Sequence, residues 1–354
     1  MNAKRVFLDI HAIQTLPPSN INRDDAGSPK TAMYGGVKRA RVSSQAWKRA
    51  MRLYFEENSA AELGIRTKRA AEYIAEQMMA LDDSITEKDA RDAAVKVLND
   101  AEIKTDKNGL TKALFFLGKQ QAVRLAQAAL EKNSDKKQLK EILRDAPEID
   151  IALFGRMVAD DPSLNEDASA QVAHALSTHA VQTEFDYYTA VDDRKSEDTS
   201  GAGMIGTIEF NSSTLYRYAN VAVHELAAQL GERDAAVSAV KLFVEAFSNS
   251  LPSGKMNTFA NQSLPQALMV NVRGDRPVSL VGAYEEPVRS SGGYEKESVA
   301  RMFDALAASE KFVREPLFTL CLVQKEMQGV VPGREEGSLP ALLDDLGKML
   351  EQQL

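Results

Sequence analysis

Near the start of the chain, apolar positions alternate with mixed ones at the period of a strand. Val6, Leu8 and Ile10 share one side, and Asp9 and His11 lie between and after them. Successive side chains of a strand point to opposite faces of a sheet, so residues 5–13 are predicted to form a mostly buried strand. The loop that follows is rich in Pro, Asn and Gly, which interrupt regular structure.

The pattern changes to a helical period after this loop. Ser43 and Ser44 are favourable N-cap residues, and the positions that follow them predict a helix that ends at about Asn58. From about Thr67 to Arg144 the chain is rich in Ala, Leu, Lys and Glu, which favours several consecutive helices.

The second half of the chain mixes extended and helical segments. Strands are predicted at 148–157, 181–191, 207–223 and 268–272, and helices at 234–250, 295–309 and 339–353. With the stretch 61–179 set aside, the order becomes strand, helix, strand, strand, helix, strand, which is that of a ferredoxin-like sheet and of the RNA recognition motif (RRM). The predicted fold class is α+β: an antiparallel RRM-like sheet from residues 1–60 and 180–354, with a mostly helical insertion at 61–179.

Composition narrows the class of protein. The 354 residues are 44% hydrophobic and 27% charged, as in an ordinary globular protein. A single cysteine, Cys321, excludes a disulfide within the chain. Asp9 and His11 interrupt the run that a signal peptide needs, and no apolar stretch reaches the ~20 residues of a membrane span. We therefore expect a soluble, cytoplasmic protein with no membrane association.

Charge is distributed unevenly along the chain. The net charge is −8, yet residues 1–70 contain 13 Lys and Arg against 6 Asp and Glu. The segment from Val37 to Arg52 has six basic residues and no acidic one. Phosphate groups respond to local potential rather than to total charge, so this segment is a candidate nucleic-acid surface.

The predicted helix that begins near Ser44 adds detail. Lys48, Arg49 and Arg52 lie within one ~100° sector of it, opposite the apolar positions. Lys38, Arg39 and Arg41 come just before the helix, and Ser43, Ser44 and Gln45 lie at its start. Cations beside the positive end of a helix dipole are typical of a phosphate site.

Other motifs carry weaker signals. Lys136, Lys137, Lys140 and Arg144 form a second basic helix face, which is either an ordinary solvated surface or a contact with the backbone of duplex DNA. Residues 201–206 match the dinucleotide motif G-x-G-x-x-G, but a charged segment precedes them and strand residues follow, so that interpretation is rejected.

Aromatic residues accompany hydroxyls and an arginine in the segment 209–218. Tyr216 and Tyr218 share one strand face, which favours core packing. Phe210 lies next to the glycine-rich stretch and is the better candidate to stack on or wedge between bases.

Residue patterns for catalysis are few. His174 and His179 are five positions apart, which does not fit a helical zinc motif, and structural roles are the default for all four histidines. Asp24 and Asp25 in the N-terminal loop are candidates for metal binding or RNA cleavage, although adjacent loop carboxylates are usually solvated. No metal and no cofactor is expected.

Several blocks resemble the CasC family, the backbone subunit of type I-E CRISPR Cascade complexes. They occur in the family's order over most of the first 220 residues: 22–25, 34–52, 150–157, 173–179, 188–193, 206–210 and 216–220. The longest block includes Ser43-Ser44-Gln45-Ala46-Trp47-Lys48-Arg49. Beyond about residue 275 the resemblance is weak, so it implies no contacts for the C-terminal residues.

The resemblance implies a shape like a right hand, with an RRM-like palm, helical fingers and a thumb arm at 192–220. Residues 192–206 combine acidic residues with three glycines, so we expect this stretch to be mobile until RNA and a neighbouring copy bind. Copies would stack head to tail along the guide RNA (crRNA), kink it at regular intervals and present it to target DNA, beside the large, small, guide-capping and guide-processing subunits. The resemblance implies that Lys30, Arg41, Ser43, Gln45, Lys48 and Arg49 hold the guide backbone and that Met157 and Phe210 flank the kink. The complete set of predicted RNA-binding residues also includes Asn22, Arg23, Lys38, Arg52 and Arg156.

Three functional classes remain open at this stage. The resemblance favours a guide-RNA scaffold that is not an enzyme. The alternatives are a metal-dependent RNase that uses Asp24 or Asp25, and a generic RRM-type protein that binds single-stranded RNA.

Overall fold

The structure, a computed structural model, describes residues 5–59, 62–145, 147–158, 161–190, 204–324 and 331–354. Its strands are β1 (Phe7–Ser19), β2 (Thr31–Tyr34), β3 (Val37–Val42), β4 (Ile65–Thr67), β5 (Phe115–Leu117), β6 (Ala170–Val172), β7 (Ala175–Ser177), β8 (Glu184–Ala190), β9 (Met204–Ala222), β10 (Ala267–Arg273), β11 (Phe318–Val323) and β12 (Arg334–Glu335). Its helices are α1 (Ser44–Asn58), α2 (Ala70–Leu81), α3 (Glu87–Asp100), α4 (Lys119–Leu130), α5 (Lys136–Arg144), α6 (Ile149–Phe154), α7 (Val223–Leu230), α8 (Arg233–Asn249), α9 (Met256–Phe259), α10 (Glu295–Ser309) and α11 (Leu339–Glu351).

A large, mostly antiparallel sheet organises the chain. Its order is β12-β11-β10-β1-β9-β7-β3-β2, with β6 and β8 also paired to β9. The predicted N-terminal strand is confirmed and is longer than expected, because β1 stays paired with β9 as far as Ser19. At the centre, β1 lies between β9 and β10 and is antiparallel to both.

The two faces of the sheet are covered by different helices. Leu8, Ile10 and Ala12 of β1 share a core cluster with residues of α1, α7, α8 and α11. On the other face, Tyr216 and Tyr218 of β9 share a cluster with Met302 and other residues of α10. Both tyrosines are buried, at 2% and 8% exposure, so the interpretation of these two residues as core is confirmed. Both faces of the sheet, to which the alternating residues of its strands point, are therefore covered by apolar side chains of helices.

The helical insertion has a core of its own. Small and aliphatic residues of α2, α3, α4 and α5 form a cluster that extends from Ala70 to Leu164. The stretch predicted as consecutive helices is interrupted by the strand β5, which pairs with β4 at the beginning of that stretch.

Residues 148–157, predicted as a strand, instead form the short helix α6 (Ile149–Phe154). Ile151, Ala152 and Leu153 are all fully buried, and apolar burial on every side removes the helical period from the sequence.

Other boundaries agree closely with the prediction. Helix α1 ends at Asn58, and Ser43 is its N-cap. The predicted strand at 181–191 is found as β8, which pairs with the start of β9. The predicted thumb arm falls partly outside the described residues, since these omit 191–203, and its remainder is part of β9.

Candidate nucleic-acid interface

The N-terminal loop, the β2–β3 hairpin and the start of α1 meet at one end of the sheet. The side chain of Asn22 accepts a hydrogen bond from the Ser43 amide at 2.8 Å. The Lys30 amide donates to the Asn22 carbonyl at 2.8 Å, and the Arg41 amide donates to the Lys30 carbonyl at 2.9 Å. These bonds bring together residues that are up to 21 positions apart in the sequence.

Helix α1 directs its positive end toward this cluster. The Ser43 hydroxyl accepts a hydrogen bond from the Ala46 amide at 3.3 Å, which uses one of the unpaired donors of the first turn. Gln45 and Arg49, one turn apart, are exposed on the same side. The remaining amides and the helix dipole favour an anion at this position.

Several cations here are not neutralised by carboxylates. Within the described ranges, none of five basic residues forms an ion pair, namely Arg23, Lys30, Lys38, Arg41 and Arg49. Arg23, Lys38 and Arg49 are exposed, and Lys30 and Arg41 are half-buried. Cations without a carboxylate partner remain available for phosphate groups.

His174 is a member of this cluster that the sequence reasoning left in a structural role. It lies between β6 and β7, is exposed, and its Nδ1 is 3.1 Å from Nη1 of Arg41. The exposed ring is still partly desolvated by its neighbours, which lowers the pKa of His174 below its ordinary value, and the charges of Arg41 and Lys30 lower it further. The only sequence signal was its place in the block 173–179.

The residues of the predicted basic face of α1 lie in different environments: Arg49 is exposed, whereas Arg52 and Lys48 contact other parts of the protein. Arg52 does not project freely, because its Nε is 3.0 Å from Oδ2 of the buried Asp150 and its Nη2 donates to the Gly64 carbonyl at 2.9 Å. Lys48 lies with its Nζ 5.4 Å from the centre of the Phe154 ring. Burial lowers the pKa of Lys48, with a further contribution from Arg66. Arg52 thus ties α1 to the helical insertion, and we infer that it has a structural role instead of the predicted RNA contact.

We expect Arg52→Ala to destabilise the protein by about 2 kcal/mol while leaving RNA affinity nearly unchanged, because it leaves the buried Asp150 carboxylate without its cation. Urea denaturation and RNA titration of the same preparation measure the two effects. Arg49→Ala is the matched control on the same helix, and it should weaken RNA binding while leaving stability nearly unchanged. A large loss of RNA affinity in Arg52→Ala at unchanged stability would contradict this assignment.

Arg156 was also expected to bind RNA, and the structure contradicts this. Its side chain is buried, with the residue 4% exposed. It donates to the Leu164 carbonyl at 3.0 Å, to Oε1 of Gln121 at 3.1 Å and also to the Leu143 carbonyl. Burial lowers the pKa of Arg156. A guanidinium that is committed to internal acceptors is not available to a phosphate, so Arg156 is a structural residue of the insertion.

The two candidates for flanking a kinked base lie in different environments. Met157 is 83% exposed. Phe210 is half-buried, and its ring centre is 5.7 Å from that of Phe259. Met157 is free to contact a ligand, whereas Phe210 has to leave or share its contact with Phe259 to do so.

The second basic face, on α5, is largely paired internally. Lys136 and Lys140 each lie 2.5 Å from a carboxylate oxygen of Glu102, and Lys140 also lies 2.5 Å from Asp161. The hydrogen bond from Lys140 is the main reason that the pKa of Asp161 falls to about 2. Lys137 is 87% exposed, while Arg144 donates from Nε to the Ser163 carbonyl at 2.7 Å. Three of the four basic side chains are therefore engaged within the protein, which favours the interpretation of this face as a surface without a DNA contact.

The carboxylates of the N-terminal loop have no metal-binding arrangement. Oδ1 of Asp24 accepts hydrogen bonds from the Ala26 and Ser28 amides at 2.9 and 3.0 Å, so it shapes the loop. Asp25 is exposed. Throughout the described residues, no three or more His, Cys, Asp and Glu side chains come together in a group that could hold a metal ion. In the same part of the chain, none of the helices has the length and apolar character needed to cross a membrane.

Comparison with solved structures defines the class of protein. The chain is similar to a chain of a structure described as "CRISPR RNA-guided surveillance complex, pre-nicking", with 33% identity, a TM-score of 0.88 and coverage of 98% of this chain and 100% of the other. A chain of a "CRISPR RNA-guided surveillance complex" has 30% identity, a TM-score of 0.77 and coverage of 97% and 99%. The sequence model of the CT1975-like protein family matches residues 8–345. The chain belongs to the CT1975-like protein family. No functionally curated protein matches it.

Proposed function

We propose that this chain is a guide-RNA-binding backbone subunit of a CRISPR RNA-guided surveillance complex. The observation that carries the proposal is its similarity, over 98% of its length at 33% identity, to a chain of such a complex. The cluster of unpaired cations beside the start of α1 supports RNA as the ligand, because single-stranded RNA presents phosphates along its whole length.

The architecture supports a hand-like arrangement of palm, fingers and thumb. The strands β10, β1, β9 and β6/β7 have the order 4-1-3-2 of a ferredoxin-like sheet, and α1 and α8 pack on one of its faces. This order supports an RRM-like palm of residues 1–60 and 180–354 with one addition, because its second strand, β6/β7 at 170–177, belongs to the stretch that was predicted as fingers. The separate core of α2–α5 supports fingers within 61–179. The thumb arm at 192–220 is proposed from the sequence resemblance.

The guide backbone would follow the end of the sheet where α1 begins. The proposed contacts are Asn22, Arg23, Lys30, Lys38, Arg41, Ser43, Gln45, Lys48 and Arg49, with Met157 and Phe210 at the kink. Contacts of this kind hold the RNA without reading its sequence, and sequence recognition is left to base pairing between guide and target DNA. Lys137 is the best placed of the α5 residues to meet the DNA backbone, because it is 87% exposed.

Assembly follows from the same proposal. Copies of the chain would stack head to tail on the guide, as in type I-E Cascade, and would join the other subunits of that complex. The chain would act as a scaffold rather than as a nuclease, and the use of Asp24 in the loop's own hydrogen bonds supports this role.

The direct test is to co-express the full chain with a repeat array and its processing subunit. We expect it to purify with a discrete small RNA, and to bind unrelated unstructured RNAs with similar affinity, because its contacts are to the backbone. RNA sequencing and competition titrations measure these two properties. A strong preference for one short sequence would favour the generic RNA-binding alternative. Cleavage of labelled RNA in the presence of magnesium would favour the RNase.

A further inference from the structure

His174 occupies an unusual place for an exposed histidine, since its nearest charged neighbours are cations. Arg41 approaches from β3 and Lys30 from the segment before β2. Within the described residues, none of these three side chains forms an ion pair with a carboxylate. An arginine N–H can only donate, so Nδ1 of His174 accepts from Arg41 and the neutral ring carries its proton on Nε2.

We propose that His174 is a further ligand of the phosphate site formed by Lys30, Arg41 and the first turn of α1, and that it takes up a proton when nucleic acid binds. The inference rests on the proposed function and deepens it. His174 would then be a residue of the RNA site whose charge depends on pH, and binding of RNA would change its state of protonation.

The electrostatic reason is the change of partner that a phosphate brings. Without a ligand, burial and the two cations disfavour the imidazolium and lower the pKa of His174. A phosphate within ~4–6 Å supplies the opposite charge, which favours the imidazolium and raises the pKa. Binding therefore draws a proton from solvent whenever the pH lies between the free and the bound pKa.

Protonation also rearranges the hydrogen bonds at the site. Once Nδ1 of His174 carries a proton, it can no longer accept from Nη1 of Arg41, because both groups then donate. The 3.1 Å contact between these atoms is lost, and both N–H groups become free to donate to the phosphate. In this way His174 holds Arg41 in place before binding and joins it as a donor afterwards.

The sign of the pH dependence follows from this order of pKa values. Because the bound pKa is higher than the free one, affinity is highest and constant below the free pKa of His174. It falls as the pH rises from the free to the bound pKa, and it is constant again above the bound pKa. For one linked proton, the limiting slope is about a tenfold loss of affinity per pH unit.

The experiment measures binding of the full chain to short polyuridine, labelled with a dye whose emission does not depend on pH, at fixed ionic strength between about pH 5 and 8.5. The wild type should show the slope described above. His174→Gln should be flat, at the weak affinity of the wild type at high pH. His174→Lys should be flat and tight, because its cation does not titrate in this range. The control His224→Gln, which alters a histidine bonded to Val6 at the other end of β1, should keep the wild-type profile.

Calorimetry in two buffers of different ionisation enthalpy should show uptake of protons by the wild type and not by His174→Gln. A flat wild-type profile, or the same slope in wild type and His174→Gln, overturns the inference and leaves the proposed function intact. Absence of RNA binding by the wild type at every pH overturns the proposed function itself.

Discussion

Replacing Lys30, Arg41 and Arg49 together with alanine is expected to weaken RNA binding by about 100-fold at low salt, from roughly 1 kcal/mol for each phosphate contact. These three residues are chosen because they have no ion pairs in the described ranges and lie near the start of α1. The loss should be similar for RNAs of unrelated sequence. The slope of log affinity against log salt should fall by about 0.7 for each contact removed, since each releases condensed counterions.

A matched control removes the same charge elsewhere. Lys88, Lys107 and Lys112 are exposed on the helical insertion and have no ion pairs among the described residues. Their triple alanine variant has the same net charge as the first and should retain nearly all the affinity and the salt slope. Equal losses in the two variants would mean that total charge, rather than this surface, determines binding.

Arg156→Ala is expected to cost on the order of 3–5 kcal/mol of stability, because it leaves buried acceptors unpaired and opens a cavity. The acceptors include the Leu143 and Leu164 carbonyls, which belong to different parts of the insertion. Denaturation by urea measures the total loss, and hydrogen exchange should locate it in residues 70–164, which contain the second core.

The neighbouring residue provides the control for this prediction. Met157 is 83% exposed, so Met157→Ala should change stability by no more than about 0.5 kcal/mol. Unchanged stability in Arg156→Ala together with a loss of RNA affinity would return Arg156 to the binding surface.

The sequence predicted the elements whose hydrophobic period is clear and long. The helix at 295–309 was predicted with the bounds that α10 has, and α1 was predicted from its Ser43 cap and its apolar stripe. Helix α6 was missed because Ile149, Ile151 and Leu153 alternate as in a strand, and six residues are too few to show a helical period.

The sequence predicted where the candidate nucleic-acid interface lies, but it did not predict every residue that belongs to it. A basic segment without acidic residues indicates a phosphate surface, yet charge alone does not tell which cations are already paired. Arg52 pairs with Asp150, which is 98 positions away, and the Arg156 side chain is enclosed by groups of several elements. Such long-range partners are set by packing, and so is the contact of His174 with Arg41, 133 positions away.

Helix α10 packs over one face of the sheet, and this packing has a consequence for how a guide-binding subunit could evolve. RRM proteins that read sequence stack exposed aromatic rings of the sheet on bases, whereas here Tyr216 and Tyr218 are buried beneath α10. If the chain binds guide RNA as we propose, these two rings are not available to favour one base over another. New guide sequences could then be acquired without any compensating substitution in the protein, so the repertoire of guides and the protein would be free to change independently.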